Sequence, residues 1–216
     1  MTKIKKGDLI ELDFIGTFKD NGEIFDLTIE SEAKKNKIYD PNFKYKPMKA
    51  FVGSGQLLKG IDKKLVGSEI GKKMEFDLEP KEAFGSRNSK LIQLISLNKL
   101  RSKKVNPVVG MRLDVDGQQA TVRSVNGGRV LLDFNHPFAG KDVHYMLKPI
   151  KVFSKIKDKV SFSTELLGFQ AEGLKVEGKK VTFKLPNKEK LGKPFLDLIV
   201  KQVKKLVPEV NDVIIA

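Results

Sequence analysis

The run VGSGQLLKGIDKKLVGSEIGKK, residues 52–73, sets five glycines around a short apolar stripe. Leu57, Ile61 and Leu65 recur at every fourth residue, the spacing that lines one face of a helix. The stripe stops at Gly67, which enters the left-handed conformation at little steric cost and so terminates the helix. The flanks read differently. DLIELDFIGTF alternates as a strand, DNG at 20–22 is a turn, and GEIFDLT is a second strand, so an antiparallel hairpin precedes the helix. Lys34 to Pro47 is polar, carries Pro41 and Pro47, and reads as a surface excursion before MKAFVG returns to the sheet. EIGKKMEFDLEP is a further strand, stopped by Pro80.

After EAFGSR the texture changes. MRLDV, QATVRSV and RVLLDF are strand-like runs joined by DG and NGG turns and preceded by the apolar but irregular LIQLISLNKL, which together predict a small β unit. VHYMLKPIKVF resumes a strand, and the lysine-rich stretch at 154–159 reads as a solvated linker. Beyond it, LKVEGKKVTFKL alternates as a hairpin, and PFLDLIVKQVKKL puts Phe195, Ile199, Val203 and Leu206 on one helical face. DVIIA predicts a closing strand. A chain of 216 residues has room for such a multi-part α+β architecture.

Composition narrows the function classes. Hydrophobic residues at 40% and charged residues at 31% fit a folded, soluble chain. No run approaches the roughly 18 apolar residues of a membrane span, and MTKIKKGDLIELDF has no apolar signal core. The expectation is a cytoplasmic protein without a membrane partner. With no cysteine, thiolate catalysis and cysteine-held metals are excluded, and His136 and His144 alone give little basis for a histidine site, so no metal or cofactor is expected. His136, in NHPFAG, reads as a turn or interface residue. The net charge of +14 suits nucleic acid, yet its lysine patches at 34–37, 99–104 and 151–159 have few interleaved aromatics and read as solvated surface. A weak encounter with the ribosome or with acidic clients stays open. Gly55 to Gly60 has phosphate-loop spacing, but Ile61 and Asp62 stand where Lys and Ser or Thr are required. No G-x-S-x-G is present, so covalent hydrolysis has no support.

Taken in order, Phe14-Ile15-Gly16, Phe25-Asp26, the pattern G-x-x-L-x-G-x-D-x-x-L-x-G-x-x-x-G-x-K from Gly55 to Lys73, and KEAFG resemble the FKBP-type peptidyl-prolyl isomerases. Roughly fifty residues separate AFG from the resumed sheet, and VLLDFNHPFAGKDVHY resembles the exit of the domain that SlyD-like members insert in the flap. The segment after 154 suggests the long archaeal members. The resemblance implies a curved antiparallel sheet plugged by the short helix, with the isomerase domain at 1–85 plus 137–153. A small inserted β domain would occupy 86–136 and a C-terminal α+β domain 154–216.

By motif position, Phe14, Phe25, Leu57, Leu58, Ile61, Phe84 and Tyr145 would line a prolyl pocket with Asp26 at its polar edge. Asp26 would orient the twisted amide or serve structure alone. Phe14 and Phe84 stand where tyrosines are common in the family and Ile61 where tryptophan is, which bears on peptide and macrolide affinity. In the insert, Leu91, Ile92, Leu94, Ile95, Leu97 and Leu100 would hold unfolded or nascent chains bearing X-Pro bonds. The implied function is a prolyl isomerase with chaperone activity. A holdase with little turnover and a basic ribosome- or RNA-associated folding factor are the alternatives. The tail is small for an isolated core. Its remaining apolar surface would pair with a second copy, giving a homodimer, or dock on its own isomerase domain.

Overall fold

The computed structural model describes residues 2–186 and 188–216. Its first half runs β1 (Leu9–Phe18), β2 (Ile24–Leu27), α1 (Glu30–Lys35), β3 (Met48–Phe51), α2 (Lys59–Leu65) and β4 (Met74–Leu78). There follow β5 (Ile92–Ser96), α3 (Leu97–Ser102), β6 (Arg112–Val115), β7 (Gln118–Asn126), β8 (Arg129–Asp133) and β9 (Val143–Phe153). The tail adds α4 (Ile156–Glu165), β10 (Glu172–Glu177), β11 (Lys180–Lys184), α5 (Lys193–Leu206) and β12 (Asp212–Ile215). The class is α+β, as the residue patterns predict. Two units form: Met1–Thr17, Ile24–Phe76 and Tyr145–Ala216 in one, Phe18–Glu23 and Asp77–His144 in the other.

In the first unit the sheet runs β2-β1-β9-β4, with β3 also on β1. Because β9 takes one edge of β1, β2 and β3 share the other: β3 pairs with Leu9 to Leu12 and β2 with Ile15 to Thr17. Asp13 and Phe14 lie between the two pairings. Alternation along β1 buries Ile10, Leu12 and Phe14 on one face, while Glu11, Asp13 and Ile15 stay half-exposed. In α2 the expected stripe is buried at Ile61 and Leu65. The helix ends before Gly67, whose φ of 85° is the left-handed turn its sequence predicts, and the Gly67 N–H donates to the Ile4 carbonyl (2.8 Å).

The tail shares one apolar core with this sheet. Leu9 and Phe51, opposite one another on β1 and β3, pack in a cluster with Val160, Phe183, Ile199 and Val203. Phe51 meets Phe162 of α4 at 5.8 Å between ring centroids. β10 and β11 form the expected hairpin and β12 adds in parallel to β11. Helix α5 buries Ile199, Val203 and Leu206, as its spacing predicts, and leaves Leu198 exposed.

Residues 154–159 are not a solvated linker. From Ile156 they form the start of α4, whose buried face includes Lys159, Val160, Ser163 and Thr164. Three of these are polar, so the periodicity is invisible to a hydrophobicity reading. Two are satisfied within the helix, Ser163 Oγ donating to the Val160 carbonyl (2.7 Å) and Thr164 Oγ1 to that of Ser161 (2.8 Å), whereas Lys159 Nζ donates to the distant Glu209.

The second unit contains the antiparallel sheet β5-β8-β7-β6. Its core is Leu100, Leu113, Ala120, Val122, Val130 and Leu132. LIQLISLNKL resolves into β5 and α3, a strand-to-helix switch that explains why it has neither period throughout.

Candidate active site

Three aromatic side chains of the first unit converge on Tyr145 of β9. Its ring lies 6.1 Å from Phe14, 5.9 Å from Phe25 in an edge-on contact, and 6.4 Å from Phe76 in a stacked one. Phe14 and Tyr145 are buried and Phe25 is half-buried. The place for Phe25 exists because residue 16 has no side chain: a Cβ there would lie 2.7 Å from Phe25 Cζ and 3.1 Å from Tyr145 Cε1. A register shift between Gly16 and Thr17 bulges the β1–β2 ladder at the same point.

Asp26 follows Phe25 on β2. Loss of hydration raises its carboxyl pKa above the usual carboxylate range, partly opposed by the Leu27 backbone N–H. Burial pushes the Tyr145 phenol well above its ordinary value, and the Asp26 charge adds to that shift. The hydroxyl is therefore neutral at physiological pH, a donor beside a carboxylate in an aromatic surround. Ile61 is buried on α2, with Leu57 and Leu58 half-buried at the approach to that helix. Thr28 holds the adjoining backbone: its Oγ1 accepts the Phe14 N–H (3.0 Å) and donates to Asp13 Oδ1 (2.7 Å).

Sequence reasoning missed a groove of about 540 Å³ that Phe14 and Asp26 also line, with Thr28, Met48, Phe43 and Phe162 among its other walls. Met48, the first residue of β3, carried no signal beyond being apolar at the head of a strand. Phe162 comes from α4, far along the chain, and only the shared core brings it here.

Phe84 stands in the second unit. Its ring is stacked on His136 at 4.8 Å, and Phe138 meets it edge-on at 5.1 Å. Phe138 in turn meets Phe18 at 4.9 Å. The Phe138 N–H donates to His136 Nδ1 (3.1 Å), and the imidazole completes a turn. Of the insert residues singled out in the sequence, Leu100 lies in the core with Ile95 and Leu97 packed against it, and Ile92 is half-buried. Leu91 and Leu94 are exposed. So are Val108, Val109 and Met111, whose loop shows no periodicity that could have marked it. A second cavity of about 280 Å³ is lined by Ile95, Leu100, Val105, Leu113 and Phe134, among others.

Among the described residues no cluster of three or more histidines and carboxylates is placed to hold a metal ion. No described helix is long and apolar enough to cross a membrane.

Comparison with known proteins decides the family. Residues 1–98 match the family model "FKBP-type peptidyl-prolyl cis-trans isomerase" and residues 93–138 match "FKBP26, IF domain". The "Short-type peptidyl-prolyl cis-trans isomerase" of Methanocaldococcus jannaschii is 35% identical over 145 residues, covering 67% of this chain and 91% of the relative. The chain belongs to the FKBP-type peptidyl-prolyl cis-trans isomerases. Other relatives include the "FKBP-type 16 kDa peptidyl-prolyl cis-trans isomerase" of Escherichia coli, 32% identical, covering 50% of this chain and 74% of that one. A SlyD from Helicobacter pylori is 28% identical, covering 54% of this chain and 65% of that one. This FKBP-type isomerase is thus SlyD-like, and its reaction is rotation about X-Pro bonds.

Proposed function

We propose that the pocket around Tyr145 is where this isomerase rotates the X-Pro bond, and that the insert captures unfolded chain and presents its prolines there. The observation that carries the reading is the convergence of Phe14, Phe25 and Tyr145 beside Asp26. Amide resonance opposes rotation with a barrier of about 18–20 kcal/mol, and water that hydrogen-bonds the amide favours its charge-separated planar form. An apolar aromatic surround removes that water and so favours the twisted, less polarised bond. No nucleophile is needed. Phe14, Phe25 and Ile61 supply apolar walls, with Leu57 and Leu58 at the rim. The neutral Tyr145 hydroxyl donates to the carbonyl oxygen, and the Asp26 carboxylate orients the twisted amide electrostatically as conjugation is lost.

The insert has the surface for capture. Leu91, Leu94, Val108, Val109 and Met111 leave apolar side chains in water on a unit whose core is already closed by other residues. Holding a loose segment there raises the effective concentration of its prolines at the pocket. The test is isomerase turnover on a proline tetrapeptide and acceleration of a proline-limited refolding reaction, measured on the same preparation. Pocket variants should depress both. Variants of the exposed insert residues should depress refolding alone, and equal effects on the two substrates would refute capture by the insert.

A further inference from the structure

The excursion between α1 and β3 was expected to be polar surface; the structure makes it an ordered aromatic platform. Tyr39 and Tyr45 stack at 5.5 Å with 20° between their planes, and Phe43 meets Tyr45 edge-on at 4.8 Å. Polar contacts fix the loop beneath them. The Asp40 N–H donates to the Tyr45 hydroxyl (2.9 Å), the Asn42 N–H to Asp40 Oδ1 (2.8 Å), and the Phe43 N–H to the Asp40 carbonyl (3.2 Å). Lys34 Nζ covers the Tyr39 ring at 4.8 Å. Despite this ordering Phe43 stays 52% exposed and Ile38 45% exposed. A loop held this firmly with its largest apolar side chains in water is preorganised to receive something apolar.

Its position indicates what. Phe43 lines the 540 Å³ groove with Phe14, Asp26 and Met48, and it also lines a second hollow, of about 280 Å³, with Phe25, Asp26, Ile38 and Tyr45. Both hollows include Asp26 and Leu27, so the ring borders two recesses that reach the polar edge of the prolyl pocket. A peptide whose proline fills that pocket has its neighbouring residues within reach of this surface.

We infer that Phe43 is a specificity-determining residue of this isomerase, packing against an apolar or aromatic side chain that flanks the proline of an extended X-Pro substrate. The inference rests on the reading of the Tyr145–Asp26 pocket as the proline site. The platform selects among X-Pro bonds by the residue beside the proline, whereas the pocket recognises the proline itself.

The experiment uses the full chain and tetrapeptides Ala-Xaa-Pro-Ala and Ala-Ala-Pro-Yaa, with the varied residue phenylalanine or glycine. In the wild type, the phenylalanine peptide of at least one series should be the better substrate. Phe43→Ala should reduce the ratio of kcat/KM for phenylalanine over glycine in that series by about 5–10-fold, chiefly through KM, and Phe43→Leu should recover part of it. An unchanged ratio in both series, or a wild type indifferent to the flanking residue, overturns the role of Phe43. If Phe43→Ala fails to fold, Phe43→Leu carries the test through the same ratio, with an intermediate value expected. Asp26→Ala, run alongside, tests the underlying pocket: it should depress all four peptides alike without altering the ratio. Full activity in that variant would overturn the pocket reading, and with it the argument from continuity, even where the Phe43 ratio changes.

Discussion

Gly16 and Phe25 pack so closely that no side chain fits at residue 16 without movement: a Cβ there would sit 2.7 Å from Phe25 Cζ and 2.8 Å from Cε2. The φ of Gly16 is not positive, so the constraint is steric rather than conformational. Gly16→Ala should therefore displace the Phe25 ring, destabilise the fold by about 1–3 kcal/mol through overpacking, and lower peptide turnover by about ten- to a hundredfold through misplacement of the pocket wall. Urea unfolding and a tetrapeptide assay check both halves. Wild-type turnover in this variant would show that Phe25 is not a wall of the site.

Asp26 gives a pH signature. Its folded pKa is raised by lost hydration. Folding thus disfavours the ionised form: stability is greatest below the unfolded pKa, about 3.9, and declines as pH rises through the higher folded value. Asp26→Asn should be at least as stable as wild type at neutral pH, with the difference vanishing in acid. If the carboxylate orients the amide, wild-type kcat/KM should fall on acidification with a midpoint above 3.9, and the Asn variant should be lower and lack that limb. A wild-type profile with no such limb would leave Asp26 without a catalytic part.

The Lys159–Glu209 pair should respond asymmetrically. Lys159 is buried, whereas the Glu209 side chain is 44% exposed. Burial pushes the Glu209 pKa up, but the Lys159 hydrogen bond, the Glu209 backbone N–H and the lysine charge more than offset it, so the net shift is downward. This contribution to stability is present above the unfolded value of about 4.3 and is lost as pH falls through the lower folded one. Glu209→Ala leaves a buried ammonium unpaired and should cost about 2–3 kcal/mol, more than Lys159→Met, which keeps the packed methylenes. Denaturant titrations at pH 7 of the two variants compare them directly, and the reverse order would refute the argument.

Asp133 should anchor the insert. Its side chain is 2% exposed and accepts from Arg87 Nη2 (2.6 Å), Arg123 Nε (3.0 Å), and the Asn135 backbone N–H (2.9 Å) and Nδ2 (2.7 Å). Burial opposes its ionisation, yet these donors hold its pKa below the usual range. Asp133→Ala should destabilise the second unit by about 3 kcal/mol, the low end for a broken buried pair because both arginines keep access to water. Hydrogen exchange should register the loss at amides of β7 and β8, and unchanged protection there would contradict it.

Replacing Leu94, Val108 and Val109 together by serine should change stability by no more than about 0.5 kcal/mol per site, since each is exposed. Tetrapeptide turnover should stay intact. Acceleration of a proline-limited refolding step, which takes about 10–100 s uncatalysed at 25 °C, should fall sharply. Undiminished refolding would give the exposed residues another purpose.

Local rules made most of the elements legible. Alternation marked β1 and β11, the four-residue spacing marked α2, and Phe195, Ile199, Val203 and Leu206 marked α5, because in each a single face is buried and the apolar period follows the backbone geometry. The order of Phe14, Phe25-Asp26 and the glycine-spaced run is enough to point to the family, since that backbone needs glycine where a side chain would clash or φ turns positive. Other features obeyed no local period. Helix α4 hides its buried face behind Lys159, Ser163 and Thr164, whose polar groups are satisfied only once Glu209 and the helix carbonyls are in place. The Tyr39–Phe43–Tyr45 platform looks polar in one dimension because its aromatics are spaced among lysines and asparagine, and ring contacts together with the hydrogen bonds around Asp40 unite them. Sequence thus determined which residues prefer a helix, a strand or a tight turn, properties of neighbours along the chain. Tertiary structure decided that Phe162 of the tail and Phe43 of a loop would stand in one groove with Phe14 and Asp26, because packing sums contacts between residues whose separation along the chain carries no information about their distance in space.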